Sequence, residues 1–189
     1  MEWMSSLSTP PRNVAIFCAS ANGANPVYAQ AADALARALA RMSVGIVYGG
    51  SNVGLMHVVA EAALAEGGNV IGVIPSVLVE AEVAHRELTE LHVTDSMHTR
   101  KAMMSDRSDA FIALPGGFGT FEELFEVLAW QTLRLHAKPV FLLNIHGFYD
   151  GLLSFLDHCV AEGMLKERNR AIVNVADSVE ELLGQLGLT

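Results

Sequence analysis

Lysine, cysteine and long apolar runs are all scarce in this chain, and each scarcity closes off a class of function. Only Lys101, Lys138 and Lys166 supply lysine in 189 residues. The 12 basic residues stand against 21 acidic ones, for a net charge of −9. A surface of that sign repels phosphate backbones and anionic lipid, which argues against nucleic-acid binding and against membrane docking. An anionic ligand must then be held by a local site rather than by the global field. The two cysteines, Cys18 and Cys159, are far apart in apolar surroundings. They read as buried thiols in a reducing cytosol, so the expected location is the cytoplasm. No CxxC and no Cys/His cluster at zinc spacing occurs, and no run approaches the ~18 apolar residues of a membrane span. The opening MEWMSSLSTPPR has an acidic second residue and no apolar core. It is not a secretory signal, and reads as a loose leader over 1–12 before a single domain over 13–189.

What is abundant is apolar: 51% of residues are hydrophobic and only 17% charged. That composition predicts one well-packed core, argues against long disordered tails, and leaves spare hydrophobic surface for an oligomer.

Short β-branched runs alternate with longer helical patterns. Strands are predicted over 13–18 (NVAIFC), 44–48 (VGIVY), 69–74 (NVIGVI), 91–94, 109–114 (DAFIAL), 140–143 (VFLL) and 171–175. Helices are predicted over 27–42, 55–66, 96–106, 121–133, 149–162 and 179–186, with 75–90 a loop carrying a short helix. Strands apolar on both faces and separated by helices predict a parallel sheet covered on each side. The expected fold is therefore α/β: a doubly wound, Rossmann-like sheet in three layers, its ligands beyond the carboxyl ends of the strands.

The loops at those ends carry the chemistry. After the first strand, the small residues of Ala19-Ser20-Ala21-Asn22-Gly23 let a ligand approach, and Ser20 offers a hydroxyl; a plain tight turn would use the same residues. After the second, Gly49-Gly50-Ser51-Asn52-Val53-Gly54 opens a helix whose N–H groups favour phosphate, although the spacing fits neither a Walker A loop nor GxGxxG. The strongest signal follows Leu114: Pro115-Gly116-Gly117-Phe118-Gly119-Thr120-Phe121-Glu122-Glu123. Three glycines in four positions free the backbone to wrap an anion, and Thr120 can cap the next helix while reaching a phosphate oxygen. A capping box between Thr120 and Glu123 would explain those two residues but not Gly116, Gly117 and Gly119. Arg100 and Lys101 begin another helix, where cations oppose the dipole unless an anion is near. The histidines, among them His57, His85, His98 and His136, show no HExxH spacing and read as surface or hydrogen-bonded side chains. Glu80 and Glu82 flank the loop after the third strand, and Phe125 and Trp130 read as core or subunit packing.

YGGSNVGLM, MHTRKAMM and LPGGFGTFEELFEVLAW, in that order, are similar to the Lonely Guy (LOG) family of cytokinin riboside 5′-monophosphate phosphoribohydrolases, long labelled lysine decarboxylases. The resemblance runs from about residue 13 to the last helix. It implies hydrolysis of the N-glycosidic bond of AMP or N6-substituted adenosine monophosphates, without a cofactor or metal, by a homodimer. It places Arg100 and Glu123 on the catalytic pair. Gly117, Phe118, Gly119 and Thr120 fall on the phosphate loop, and Lys101 and Glu82 on further nucleotide contacts; Gly116, Gly50, Ser51 and Ser20 are expected to join them as substrate-binding residues from the reading of the loops themselves. Bond cleavage develops positive charge on the ribose, which a carboxylate stabilises, and negative charge on the departing base, which a guanidinium stabilises. Departures from the family pattern occur at Ser51 and His57 (commonly glycine), Ala129 (threonine), Ala19 (glycine) and Thr99 (glutamate), so base fit is less fixed than reaction type. Decarboxylation would need pyridoxal phosphate on a lysine, and nothing around the three lysines resembles such a site. The alternative from a different class is a non-catalytic nucleotide or molybdenum-cofactor carrier, which needs the glycine loop but not the Arg100/Glu123 pair.

Overall fold

The computed structural model describes residues 9–79 and 84–188. Most of the leader read over 1–12 lies outside them. Seven strands run β1 (Asn13–Phe17), β2 (Gly45–Tyr48), β3 (Val70–Pro75), β4 (Glu90–Thr94), β5 (Ala110–Ala113), β6 (Val140–Leu143) and β7 (Val173–Ala176). The helices are α1 (Val27–Arg41), α2 (Gly54–Ala65), α3 (Ser76–Val79), α4 (Met97–Asp106), α5 (Phe118–Thr132), α6 (Asp150–Ala161), α7 (Glu167–Arg170) and α8 (Val179–Gln185). All strands pair in parallel, in the order β4-β3-β2-β1-β5-β6-β7. This is the doubly wound, three-layer sheet expected from the alternating pattern.

The period-2 geometry of a strand explains the layers. Along β1, Val14 and Ile16 join one core with Leu35 and Leu39 of α1, Leu55 and Val59 of α2 and Leu182 of α8. Ala15 and Phe17 face the other core, with Met104 of α4 and Leu124 and Val127 of α5. The central strands β2, β5 and β6 are buried throughout, while the edge strand β4 exposes Glu90 and Val93. No helix among the described residues is long and apolar enough to cross a membrane.

One expectation is corrected: helix α5 starts at Phe118, not near 121. A 3₁₀ turn (Ile145–Gly147) and α7 occupy stretches for which the sequence predicts no element. The early start of α5 matters for the site described next.

Candidate active site

After β1 the chain winds outward through β2, β3 and β4, then returns to place β5 on the other side of β1. The strand order reverses there, and loops leaving β1 and β5 diverge to opposite faces, leaving a crevice at their carboxyl ends. A cleft of about 310 Å³ occupies that position, at the low end of the roughly 300–1,000 Å³ usual for small-molecule sites. Cys18, Ala19, Ser20 and Ala21 line it from β1, Gly117, Phe118, Gly119 and Thr120 from β5, and Arg100 from α4. The β1 wall is clamped from outside. Gly54 has φ +57°, and a Cβ there would run into the backbone of Ser20 and Ala21, while the Leu55 N–H donates to the Ala19 carbonyl at 3.1 Å.

The β5 wall ends in the first turn of α5. Gly117, in extended backbone, is the N-cap, so Thr120 is the third residue inside the helix. The capping box between Thr120 and Glu123 is therefore corrected: the glycines hold the cap position, and Thr120 is released from that task. Its hydroxyl is buried and has no hydrogen-bond partner among the described residues, a costly state unless a ligand satisfies it. The hydroxyl fits only because residue 116 lacks a side chain; a Cβ on Gly116 would collide with Thr120 Oγ1. The first N–H groups of α5 have no partner within the helix. With no acidic residue in the first turn, that positive end is open to an anion.

One turn further along α5, Glu123 forms a buried ion pair with Arg100 of α4. Arg100 Nη1 lies 3.1 Å from Glu123 Oε1, and each residue is only 8% exposed. Arg100 is aimed from behind by its Nε, which donates to the Val73 carbonyl of β3 at 3.0 Å. Gly49 makes room for it: a Cβ there would lie 2.5 Å from Arg100 Nη2. The start of α4 is fixed in turn, since Ser96 Oγ accepts the Thr99 N–H at 3.1 Å and the Thr99 hydroxyl donates to Asp95 at 2.7 Å. That hydrogen bond holds the Asp95 carboxyl below its ordinary range. Cys18 also faces the cleft. Burial first, and the Glu123 charge second, push its thiol far above the ordinary range, so it stays a neutral, unreactive wall.

Not every predicted residue reaches the cleft. Lys101, next to Arg100 on α4, points elsewhere and pairs with Glu122 and with Glu126, the latter at 2.9 Å. Burial draws its pKa down, but the two carboxylates outweigh this and the net direction is up. Gly50 and Ser51 do not line the cleft. Ser51 is fully buried and forms a β-bridge with Ala84; its backbone carbonyl accepts from the Tyr48 hydroxyl at 3.2 Å, while its own hydroxyl has no partner among the described residues. Gly116 acts through the space it leaves, and Glu82 lies outside the described residues. Gly49, from the loop read after the second strand, also lines the cleft, together with Ile16, Met56, Leu78 and Met97, which sequence reasoning did not single out. Nothing but the fold could mark these apolar side chains as wall rather than core. Phe118, within the predicted loop, stands at the rim 95% exposed.

Residues 56–186 match the family described as "Possible lysine decarboxylase". The chain is 49% identical over 171 residues to the cytokinin riboside 5′-monophosphate phosphoribohydrolase of Rhodococcoides fascians, covering 90% of this chain and 86% of that protein. It is 44% identical over 172 residues to the Arabidopsis thaliana enzyme of the same name, LOG2, covering 91% and 81%. Among solved structures, the molybdenum cofactor binding protein of Rippkaea orientalis superposes with a TM-score of 0.66 at 25% identity, covering 93% of each chain. The molybdenum cofactor carrier protein of Chlamydomonas reinhardtii gives 0.69 at 21% identity, covering 94% and 98%; that likeness speaks to fold.

Proposed function

The chain belongs to the family described as "Possible lysine decarboxylase", and from that membership we propose that it hydrolyses the N-glycosidic bond of a purine nucleoside 5′-monophosphate, AMP or an N6-substituted adenosine monophosphate. The observation that carries this reading is the buried Arg100–Glu123 pair, which lines the same cleft as the first turn of α5. The relatives that share the phosphoribohydrolase name at 44–49% identity support it. Decarboxylation, despite the family description, is poorly served. Lys101 is tied to two carboxylates, Lys138 donates to the Ser105 carbonyl at 2.7 Å, Lys166 is exposed, and none lines the cleft.

The phosphate sits at the first turn of α5, where helix N–H groups and the unsatisfied Thr120 hydroxyl meet it. The ribose then lies against Glu123. As the bond from C1′ to the base lengthens, positive charge gathers on the ribose ring and the carboxylate stabilises it. Water adds its oxygen to C1′ and gives up a proton; the base leaves with the bonding electrons and takes up a proton. Arg100 holds the carboxylate in place and offers positive charge toward the departing base. The apolar groups of Met56, Leu78, Met97 and Phe118 face the remaining space and suit a base with an alkyl substituent. The reading is tested by incubation with AMP and with isopentenyladenosine monophosphate. Free base and ribose 5-phosphate are expected, and intact nucleotide retained on the protein would favour the carrier.

The same reading includes a cytoplasmic homodimer. Phe125, Leu133 and Leu135, on α5 and just beyond it, are 41%, 68% and 68% exposed. So much apolar surface on one element is what a subunit interface covers. Light scattering at micromolar concentration should return twice the chain mass. Phe125→Asp together with Leu133→Asp should return the monomer.

A further inference from the structure

The geometry points to a binding site for a first-row divalent metal ion of the zinc type, formed by His57, Glu61 and His85 outside the nucleotide cleft. His57 and Glu61 are four residues apart on α2 and so share a face. His85 is carried to them because its N–H donates to the Gly50 carbonyl at 3.0 Å, next to the Ser51–Ala84 bridge. One ligand atom from each of the three lies within 4.8 Å of the other two. Tetrahedral zinc, with bonds of about 2.0–2.1 Å, sets its ligand atoms about 3.3 Å apart, so the group must contract by no more than about 1.5 Å. His57 and Glu61 are exposed and can move that far, while His85, 3% exposed, is the fixed anchor.

The hydrogen bonds already present prepare two of the ligands. His57 Nδ1 lies 2.7 Å from the Asn52 amide oxygen, which only accepts; Nδ1 therefore carries the proton and Nε2 presents a lone pair. His85 Nε2 lies 2.7 Å from Glu61 Oε1, a pair that shares a proton. A metal ion takes the place of that proton and widens the pair to about 3.3 Å in tetrahedral geometry. The cost is small: His85 Nδ1 takes up a proton and loses its contact with the Glu87 N–H, which at 3.3 Å is already long. Two imidazoles and one carboxylate suit zinc, cobalt or nickel better than calcium or magnesium, which prefer all-oxygen sites. Three protein ligands leave a fourth position to water, so the ion exchanges with solvent. His57, Glu61 and His85 do not line the cleft, and nothing in the hydrolysis uses them.

Cobalt is the probe, because tetrahedral Co²⁺ absorbs strongly in the visible. Untagged, chelator-treated protein titrated with Co²⁺ at neutral pH should develop that band at one equivalent per chain and lose it on addition of Zn²⁺. His57→Ala and Glu61→Gln change exposed side chains and leave the core intact. Changing a residue that merely orients a ligand costs roughly 10–100-fold in metal affinity, so loss of a ligand should cost at least about 100-fold in either variant. Nucleotide hydrolysis by His57→Ala should match the parent, which separates this site from the cleft. The proposal is overturned if no band forms at millimolar Co²⁺, or if both variants bind as tightly as the parent.

Discussion

Glu123→Gln is expected to lower kcat for AMP by about 100-fold or more, the usual cost of losing a charged group that acts in the transition state, while the protein still folds and still binds nucleotide. The substitution keeps the shape of the side chain and an oxygen that can accept from Arg100 Nη1, now 3.1 Å from Glu123 Oε1. It removes the negative charge that the proposed reaction sets against the ribose. Truncation would be a poorer test. Removing one partner of a buried pair leaves the other charge uncompensated, at a cost of about 3–5 kcal/mol, and stability and catalysis would fall together. Glutamine fills the same space and leaves no cavity, but it too leaves the Arg100 charge uncompensated, so a lower melting temperature is expected even though Arg100 retains its hydrogen bond to Val73. Single-turnover kinetics alongside thermal melting separates the two effects. A large fall in kcat measured well below the melting temperature assigns Glu123 to the chemistry. Turnover close to the parent's reduces Glu123 to a support for Arg100 and moves the stabilising charge to another group of the cleft. Arg100→Ala should be equally inactive but should also bind nucleotide more weakly, because it loses charge toward the base and unsettles Glu123.

How far the site could be read from the sequence varies residue by residue, for physical reasons. The strands were legible because those of the sheet's centre are apolar on both faces, a pattern that leaves few alternatives. The start of α5 was not. Phe118 and Gly119 resemble loop residues by propensity, and it is the extended backbone at Gly117 that sets the helix start. Moving that start toward the N-terminus turned Thr120 from a cap into an unsatisfied hydroxyl, which is the more informative role. Lys101 looked equivalent to Arg100 as its neighbour. Successive residues on a helix point about 100° apart, so only one of the two can face the cleft. Gly50 and Ser51 were drawn in by the glycine signal, yet the chain turns away at Gly50, where φ is +75°, and only Gly49 stays at the wall. The pairing of Arg100 with Glu123 came from family resemblance and not from spacing, since the two lie on different helices. The His57–Glu61–His85 group was invisible for the same reason: its third member reaches α2 only through the fold.

Removing the 5′-phosphate is expected to lower kcat/KM by at least about 1,000-fold, so that adenosine is turned over far more slowly than AMP. A hydrogen bond to a charged group contributes about 1.5–3 kcal/mol, and each 1.4 kcal/mol is a factor of about ten. Two or three such bonds from the first turn of α5 and the Thr120 hydroxyl therefore account for roughly that ratio. The long-range field works in the opposite direction, because a chain of net charge −9 repels a dianion. The attraction has to be local, and α5 is where the cleft offers free donors without a nearby acid in the first turn. Thr120→Val isolates one of these donors. Valine matches threonine in shape, and the hydroxyl has no protein partner to lose, so the variant should melt at or above the parent temperature. Its kcat/KM for AMP should fall about tenfold, as expected for one charge-assisted hydrogen bond, while its activity on adenosine should stay unchanged. Equal losses on both substrates would place the hydroxyl at the ribose instead. Comparable turnover of adenosine and AMP by the parent protein would remove the phosphate from the first turn of α5 altogether.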